Sequence, residues 1–169
     1  MRWPFLLVCL LAACTQPLPQ ARAQPARDGE AADYLLIDKS ERTLWVYQGG
    51  KVIRTYRSLQ FGDQPLGHKQ FEGDERTPEG RYTISYGNPQ SAYFLSLHID
   101  YPNARDRAFA EERGRSPGGL IFIHGQPNGL PGGMRVPGDW TDGCIAITNE
   151  EMAELWSLVP DGTPIEIRP

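Results

Sequence analysis

The sequence is short of cysteine and histidine, and it has no excess of basic residues. Of its 169 residues, three are Cys and three are His, and the formal net charge is −4. A disulfide framework needs paired cysteines, and a structural zinc site needs closely spaced Cys and His pairs, so the composition favours neither. Nucleic acid is not an expected partner, because no basic stripe is present. We therefore expect a protein that holds no metal and no cofactor.

Long hydrophobic runs are also missing. The apolar run over residues 5–13 is too short to span a bilayer as a stable helix, but it has the length of a signal-peptide core. It follows a short basic start and ends in Leu-Ala-Ala-Cys14. This ending resembles the bacterial lipobox, in which the signal is removed before the cysteine and the cysteine carries a lipid. We predict a signal peptide over residues 1–13 and a lipid on Cys14; an ordinary signal peptide cut after Ala23 is the alternative.

The segment after the leader differs in composition from the rest. Residues 14–32 are rich in Pro, Gln, Ala and Arg, which indicates a disordered tether, and residues 33–169 suit one folded domain. The leader indicates an exported protein: a membrane-anchored lipoprotein facing the periplasm and cell wall, or a protein secreted into the periplasm. We expect a monomer. Cys144 is then the single thiol of the domain, and an unpaired exported thiol is a liability unless it is buried or used.

Glycine and proline are abundant, with 18 and 15 residues, and they indicate shaped turns between strands. The Gly-Gly pair at 49–50 is a strong signal for a hairpin turn, and one strand is predicted over residues 93–99. Helical patterns cover residues 104–113 and 149–159, the second opened by a capping box at Thr148–Glu151. The expected fold is mainly β: an antiparallel β-sandwich or partly closed barrel with one or two short helices.

The residue types best suited to catalysis fall in one stretch between an apolar strand and Cys144. A thiol attacks a carbonyl group only as thiolate, so a nucleophilic cysteine needs a nearby base. His124 is the natural candidate, because the unperturbed pKa of histidine lies near neutrality. Gly125 and Gly143 flank the pair, and backbone N–H groups at Cys144 and around Gly143 could form an oxyanion hole. A buried, inert Cys144 and a purely structural His124 are the alternatives.

The remaining titratable residues have plainer interpretations. We expect His98, in an alternating apolar strand, to pack or to make a hydrogen bond, and we expect His68 to be exposed in a polar loop. Asp139 and Asp142 are interpreted as turn residues, although either could orient His124 in a triad. A backbone carbonyl group can also orient an imidazole.

The pattern of these residues resembles the signature of the L,D-transpeptidase catalytic domain family (YkuD-type). That signature is a His-Gly pair, a spacer, and then Ser/Thr-x-Gly-Cys followed by an apolar residue. It is met here by His124-Gly125 and by Thr141-Asp-Gly-Cys144-Ile145. The segment Thr77-Pro-Glu-Gly-Arg-Tyr82 is similar to the family's Thr-Pro-x-Gly-x-aromatic segment. The resemblance covers residues 33–167.

The resemblance implies a β-sandwich-like catalytic domain that acts on the stem peptides of bacterial peptidoglycan. In the family, the cysteine attacks the amide after the third, diamino-acid residue and releases the terminal D-Ala. The acyl-enzyme then passes to an amine of a neighbouring stem, to another amine, or to water. By resemblance, Cys144 is the nucleophile, His124 is the general base and then acid, and Gly143 belongs to the oxyanion region; Gly125 is a further residue of the catalytic site. The substrate-binding candidates are Arg81, Tyr101, Asn103 and Asp142.

Two positions depart from the commoner family pattern. Many members have His or Arg where Asp142 stands, and many transpeptidases have Arg where Ala146 stands. A basic residue at the second position would suit a substrate carboxylate, so its absence leaves the fate of the acyl-enzyme open. The predicted function is peptidoglycan L,D-transpeptidase. A peptidoglycan amidase or L,D-carboxypeptidase with the same Cys-His pair is the first alternative, and a non-catalytic wall-binding lipoprotein is the second.

Overall fold

The computed structural model describes residues 30–131 and 133–169. The predicted signal peptide, Cys14 and most of the predicted tether therefore lie outside the described residues. Within them, eight strands form one sheet in the order β3-β2-β1-β8-β4-β5-β6-β7. The helices and strands are β1 (Tyr34–Asp38), β2 (Thr43–Gln48), β3 (Lys51–Arg57), β4 (Gly80–Asn88), β5 (Ser96–Ile99), α1 (Ala104–Glu111), β6 (Ile121–His124), β7 (Ile145–Ala146), α2 (Asn149–Leu158) and β8 (Pro164–Arg168). Neither helix in this part of the chain is long and apolar enough to cross a membrane.

The mainly β fold with two short helices is confirmed, but the sheet is mixed rather than antiparallel throughout. β8 pairs in parallel with β1, and β6 pairs in parallel with β7, while the other pairings are antiparallel. Both parallel pairs follow from long connections, since parallel neighbours cannot be joined by a tight turn. The last strand enters between β1 and β4, and the long loop from residue 125 to residue 144 returns the chain to the edge beside β6.

Local patterns determine the first hairpin and the second helix. Gly49 and Gly50 both have positive φ, +56° and +74°, as a type I′ turn between β2 and β3 requires. Thr148 caps α2: its side chain accepts from the Glu151 N–H, and the Glu151 carboxylate accepts from the Thr148 N–H. These bonds satisfy backbone donors that would otherwise lack partners at the start of α2.

The core lies between the inner face of the curled sheet and α2. α2 contributes Met152, Leu155 and Leu158, and each burial of this size stabilises the fold by about 1.5–3 kcal/mol. Trp156 is only partly buried and packs against the edge of this core. The strands contribute fully buried aliphatic side chains, among them Leu35, Ile37, Leu44, Val46, Ile84, Leu97, Ile99, Ile123, Ile145 and Ile165.

The strand predicted over residues 93–99 begins only at Ser96. Phe94 has a φ of +66°, which interrupts the extended backbone. Asn128 holds the resulting loop: its Oδ1 accepts from the Phe94 N–H at 2.9 Å and its Nδ2 donates to the Ser91 carbonyl at 3.1 Å. This loop brings Tyr93 to the end of β6, where His124 lies.

Candidate active site

His124 and Cys144 are brought together by the parallel pairing at the edge of the sheet. Ile123 pairs with Ile145, so Cys144, the residue before β7, comes level with Phe122. Alternate residues of a strand point to the same face, and therefore Phe122, His124 and Cys144 share one face. All three line a cleft of about 260 Å³. The sheet thus brings to one cleft two residues whose proximity the spacing in sequence allowed but did not require.

A backbone carbonyl group orients the imidazole of His124. Nδ1 lies 2.7 Å from the Gly125 carbonyl oxygen, which can only accept, so the neutral ring carries its proton on Nδ1. Nε2 then keeps a free lone pair and can act as a base. The ring is 3% exposed, and this burial lowers the pKa of His124 to about 4, although the bond to Gly125 opposes the shift.

The predicted turn aspartates do not orient the histidine. Asp139 forms a two-point ion pair with Arg42, at 2.6 and 2.7 Å, and also accepts from the Phe61 N–H. Arg42 is the main reason that the pKa of Asp139 lies below its ordinary value. Asp142 lies at the mouth of the cleft beside Cys144. The interpretation of Asp139 as a residue that shapes the turn agrees with this geometry.

Cys144 is a free, partly buried thiol. Its sulfur lies 3.6 Å from the Leu120 carbonyl oxygen. Burial raises the pKa of the Cys144 thiol, and the hydrogen bond with the Phe122 backbone opposes this shift; the Asp142 carboxylate raises the pKa and Lys69 lowers it, each by less. Together with the lowered pKa of His124, this favours a neutral thiol and a neutral imidazole over a preformed ion pair.

The turn before Cys144 is fixed by two threonines. Thr141 Oγ1 donates to the Cys144 carbonyl at 2.8 Å and accepts from the Gly143 N–H at 3.3 Å. Thr77 Oγ1 donates to the Gly143 carbonyl at 2.9 Å. Gly143 has a φ of +113°, and a Cβ atom here would lie 2.4 Å from the Arg76 carbonyl oxygen. Only glycine fits, because both the dihedral angle and the space exclude a side chain.

Buried amides connect the long loop of residues 125–140 to the site. Gln126 donates to Gln60 Oε1 at 3.1 Å and to the Ile147 carbonyl at 2.8 Å, and it accepts from the Val136 N–H at 2.9 Å. A Cβ atom on Gly125 would lie 2.5 Å from Asn149 Oδ1, so this glycine allows the close approach of α2. The loop is therefore anchored from both sides of the site.

Two aromatic rings pack against the imidazole and against each other. The Tyr93 ring is stacked on His124 with centroids 4.6 Å apart and an interplanar angle of 27°. The Trp140 ring approaches at 5.6 Å and 62°. The two rings are 5.5 Å from one another. Trp140 shares with Cys144 a second part of the cleft, lined also by Thr141 and Asp142.

Comparisons with known proteins agree with this fold. The family profile of the L,D-transpeptidase catalytic domain (YkuD) matches residues 32–167. The chain belongs to this family. YafK of Escherichia coli (strain K12), which is named as an L,D-transpeptidase, is 31% identical over 132 residues, or 75% of this chain and 46% of YafK. YkuD of Bacillus licheniformis, named likewise, is 26% identical over 140 residues, or 80% of this chain and 65% of that protein.

Two solved structures share the fold of this chain. The helical cell shape determining protein Pgp2 of Campylobacter jejuni superposes with a TM-score of 0.63 and 27% identity, covering 82% of this chain and 48% of Pgp2. Bd1075 of Bdellovibrio bacteriovorus gives a TM-score of 0.56 and 25% identity, covering 86% of this chain and 50% of Bd1075. The chain thus spans about half the length of YafK, Pgp2 and Bd1075.

Of the four substrate-binding candidates of this L,D-transpeptidase domain, only Asp142 lines the cleft of Cys144. Arg81 lies on β4, largely exposed and 3.4 Å from Glu166. Tyr101 is buried, and its hydroxyl donates to the Pro117 carbonyl at 3.1 Å. Asn103 caps α1. Arg81 and Asn103 line a separate cavity, together with His68, Tyr82 and Asp106.

The two other histidines have structural contacts. His98 is stacked on Tyr86 at 4.6 Å, as its position in an alternating strand predicts. The prediction that His68 is simply exposed was wrong. Its Nδ1 accepts from the Glu79 N–H at 2.9 Å, and its Nε2 lies 3.2 Å from the buried carboxylate of Asp106. A polar loop sequence hides such contacts, because the partners lie 11 and 38 positions away.

Several residues of the site were not predicted from the sequence. Tyr93, Gln60 and Gln126 carry no local motif, and their roles depend on contacts with distant segments. Trp140 could have been singled out from its place just before the Thr-x-Gly-Cys motif. In the described ranges, no group of three or more His, Cys, Asp or Glu residues is arranged to hold a metal ion.

Proposed function

We propose that this protein is a cysteine-dependent acyltransferase that acts on peptidoglycan stem tetrapeptides. The observation that carries the proposal is the placement of Cys144 and His124 in one cleft, with His124 Nδ1 bound to the Gly125 carbonyl and Nε2 free to accept a proton. Membership of the L,D-transpeptidase family supports the choice of substrate. The relatives named as L,D-transpeptidases support the reaction type.

The reaction begins with a proton transfer within the pair. The Cys144 thiol gives its proton to His124 Nε2, and the thiolate forms a C–S bond with the carbonyl carbon of the third residue of the stem. Backbone N–H groups at Gly143 and Cys144 stabilise the oxyanion, the first of them by exchanging its 3.3 Å bond to Thr141 for the stronger bond to the oxyanion. The C–N bond then breaks, and the imidazolium returns the proton to the departing D-Ala nitrogen.

The lining of the cleft supports a second candidate function, in which water rather than an amine accepts the acyl group. Ala146 is fully buried and pairs through its backbone with Gln60, so this position presents no cation to the substrate. Among the described residues, no Arg or Lys lines either part of the cleft that contains Cys144. An acceptor that carries a carboxylate gains no ion pair there. Hydrolysis of the acyl-enzyme, as in an L,D-carboxypeptidase or amidase, is therefore the alternative to 3→3 cross-linking.

Defined muropeptides separate the two outcomes. Purified protein is incubated with disaccharide tetrapeptide, and the products are identified by mass spectrometry. Dimers with 3→3 bonds and released D-Ala support the transpeptidase; tripeptide monomers without dimers, at every substrate concentration, support the hydrolase. Cys144→Ala and His124→Ala are the controls, and both should lose at least about a thousandfold in rate.

A non-catalytic wall-binding protein predicts a different result. Its Cys144 would react with iodoacetamide as an isolated thiol does. The alkylation rate would rise with pH only as the Cys144 thiol loses its proton. The catalytic account instead predicts that alkylation depends on His124 and slows in His124→Ala at neutral pH. Equal alkylation rates of the two proteins across the pH range, together with intact muropeptides, would support the binding protein.

We further propose a role in cell-wall organisation and cell shape, because Pgp2 is named as a cell shape determining protein. The protein would act as an exported, monomeric lipoprotein held in a membrane by the lipid on Cys14. Labelling of cells with a fatty-acid analogue tests the anchor: the wild type should incorporate label and Cys14→Ala should not. Label retained by Cys14→Ala, or absent from both, would contradict it.

A further inference from the structure

The imidazole of His124 packs against two aromatic rings, which also contact one another and are held by their own backbone contacts. Tyr93 stacks on its face at 4.6 Å, and Trp140 meets it at a steep angle at 5.6 Å. We call Tyr93 and Trp140 the aromatic clamp. The imidazole is 3% exposed, whereas Tyr93 is 39% exposed, so the ring of Tyr93 separates the histidine from solvent.

The backbone places both rings independently of the histidine side chain. The Tyr93 carbonyl accepts from the Gly125 N–H at 3.1 Å, and the next residue, Phe94, keeps a φ of +66° that a large side chain rarely adopts. On the other side, the Trp140 N–H donates to the Phe61 carbonyl at 3.0 Å. A conformation with a cost of about 1 kcal/mol or more is kept only where surrounding contacts fix it. The backbone of the two loops therefore fixes the positions of both rings of the clamp.

Among residues 30–131 and 133–169, no carboxylate pairs with the His124 imidazole, on which a positive charge forms during the reaction. Asp139 is paired with Arg42, and Asp142 acts on the Cys144 thiol. Lys69, the cation that acts on the thiol, is itself paired with Asp74. Apart from the thiolate, the groups that face the imidazole are the Gly125 carbonyl, the Tyr93 face and Trp140.

We propose that the aromatic clamp is a positioning device for the proton transfer from Cys144 to His124, and that the face of Tyr93 stabilises the imidazolium by a cation–π interaction. The inference rests on the proposed function. When the proton moves from Sγ to Nε2, the new cation lies over the π electrons of Tyr93 while the sulfur becomes a thiolate. When the proton passes on to the leaving amine, the interaction weakens again, so it favours the charged intermediate state over the resting one.

The experiment must separate the effect of the shape of the side chain at position 93 from the effect of the π electrons of its ring. Tyr93→Phe keeps the ring and serves as the reference, and incorporation of mono-, tri- and pentafluorophenylalanine at position 93 weakens the negative face while it preserves the ring. Tyr93→Leu keeps apolar cover without a ring. The readout is the rate of Cys144 acylation by a stem tetrapeptide or a carbapenem, as a function of pH, with thermal unfolding as the check on folding.

The clamp predicts a stepwise fall in acylation rate with fluorination, reaching about tenfold or more for pentafluorophenylalanine and for Tyr93→Leu, because a desolvated cation–π contact has about this strength. The acylation rate on its plateau at neutral pH should fall, while KM stays within about twofold of the Tyr93→Phe value. Equal rates across the fluorinated series would overturn the clamp and leave the proposed function intact. A wild type that is not acylated at all would overturn both.

Discussion

At the scale of the residue, His124 combines a bound Nδ1 with a buried ring. Its pKa of about 4 lies well below the ordinary value of histidine, chiefly because burial disfavours the cation. The thiol of Cys144 is shifted in the opposite direction, upward. The resting pair is therefore neutral across the neutral pH range, and the ion pair forms only as the substrate is attacked. This distinguishes the site from cysteine enzymes that rest as thiolate and imidazolium.

The lowered pKa of His124 makes folding stability depend on pH. As the pH falls, the unfolded chain binds the proton first, near pH 6.5, and the folded chain only near pH 4, so stability is full above this window and falls within it. The loss assigned to His124 is about 3 kcal/mol. Urea unfolding at about pH 7 and about pH 4 should show this extra loss in the wild type relative to His124→Asn. Equal pH dependence of the two proteins would contradict the shift.

Gly143 should not tolerate a side chain. Gly143→Ala should lower the free energy of unfolding by about 3 kcal/mol or more, because the new Cβ atom meets the Arg76 carbonyl oxygen at 2.4 Å and φ is +113°. Gly138→Ala is the matched control, with positive φ but no atom within 4 Å of the added Cβ, and should cost about 1 kcal/mol. Urea unfolding measures both. Similar losses for the two variants would show that the close approach to Arg76 is unimportant.

At the scale of the element, the long loop that connects β6 to β7 carries the site and is anchored by the Arg42–Asp139 pair. Asp139 also accepts from the Phe61 N–H, next to the bonds that Trp140 and Thr141 make to the Phe61 carbonyl. One carboxylate thus fixes the part of the loop that leads to Cys144.

Asp139→Asn should therefore reduce both stability and acylation. We expect a loss of about 1–2 kcal/mol, a modest value because Arg42 is partly exposed, and an acylation rate lower by about tenfold. Glu154→Gln, which breaks the exposed ion pair with Arg54, is the control and should leave acylation unchanged. An acylation rate unaffected by Asp139→Asn would mean that the anchor does not position the cysteine.

The elements also show which parts of the structure a sequence can predict. The hairpin at 49–50 and the capping box of α2 were predicted correctly, since each depends on residues within one turn. The start of β5 was not, because Phe94 is held in its conformation by Asn128, which lies 34 positions later. For the site, the motif singled out His124 and Cys144. The aromatic clamp could not be predicted, because it depends on where the loop that carries Tyr93 lies, and no local sequence pattern determines that.

At the scale of the whole molecule, the middle of the sheet combines strands from both ends of the described domain. β8, the last strand, lies between β1 and β4, and this parallel contact could not be predicted from strand propensity because it joins residues more than 120 positions apart. The backbone of Ala32 donates to the Leu158 carbonyl and that of Asp33 to the Tyr47 carbonyl. The order of the sheet thus depends on β1 being present.

Truncation tests this dependence. A chain that begins at residue 30 should unfold with a free energy within about 1 kcal/mol of the full-length protein, because every strand and core contact described here is retained. A chain that begins at residue 39 should not fold, since it lacks β1 and leaves β2 and β8 without their shared neighbour. Circular dichroism and urea unfolding compare the three. A stable fold without β1 would contradict the central role of this strand.

The most direct test of the account is the intact mass of the enzyme during turnover. The wild type and Cys144→Ala are mixed with a stem tetrapeptide, quenched in acid at short times and analysed by mass spectrometry, with peptide mapping of any adduct. The account predicts that the wild type gains the mass of the tripeptide acyl group on Cys144 as D-Ala is released, and that Cys144→Ala gains none and releases none. Release of D-Ala by Cys144→Ala at the wild-type rate, or an adduct mapped to another residue, would contradict it.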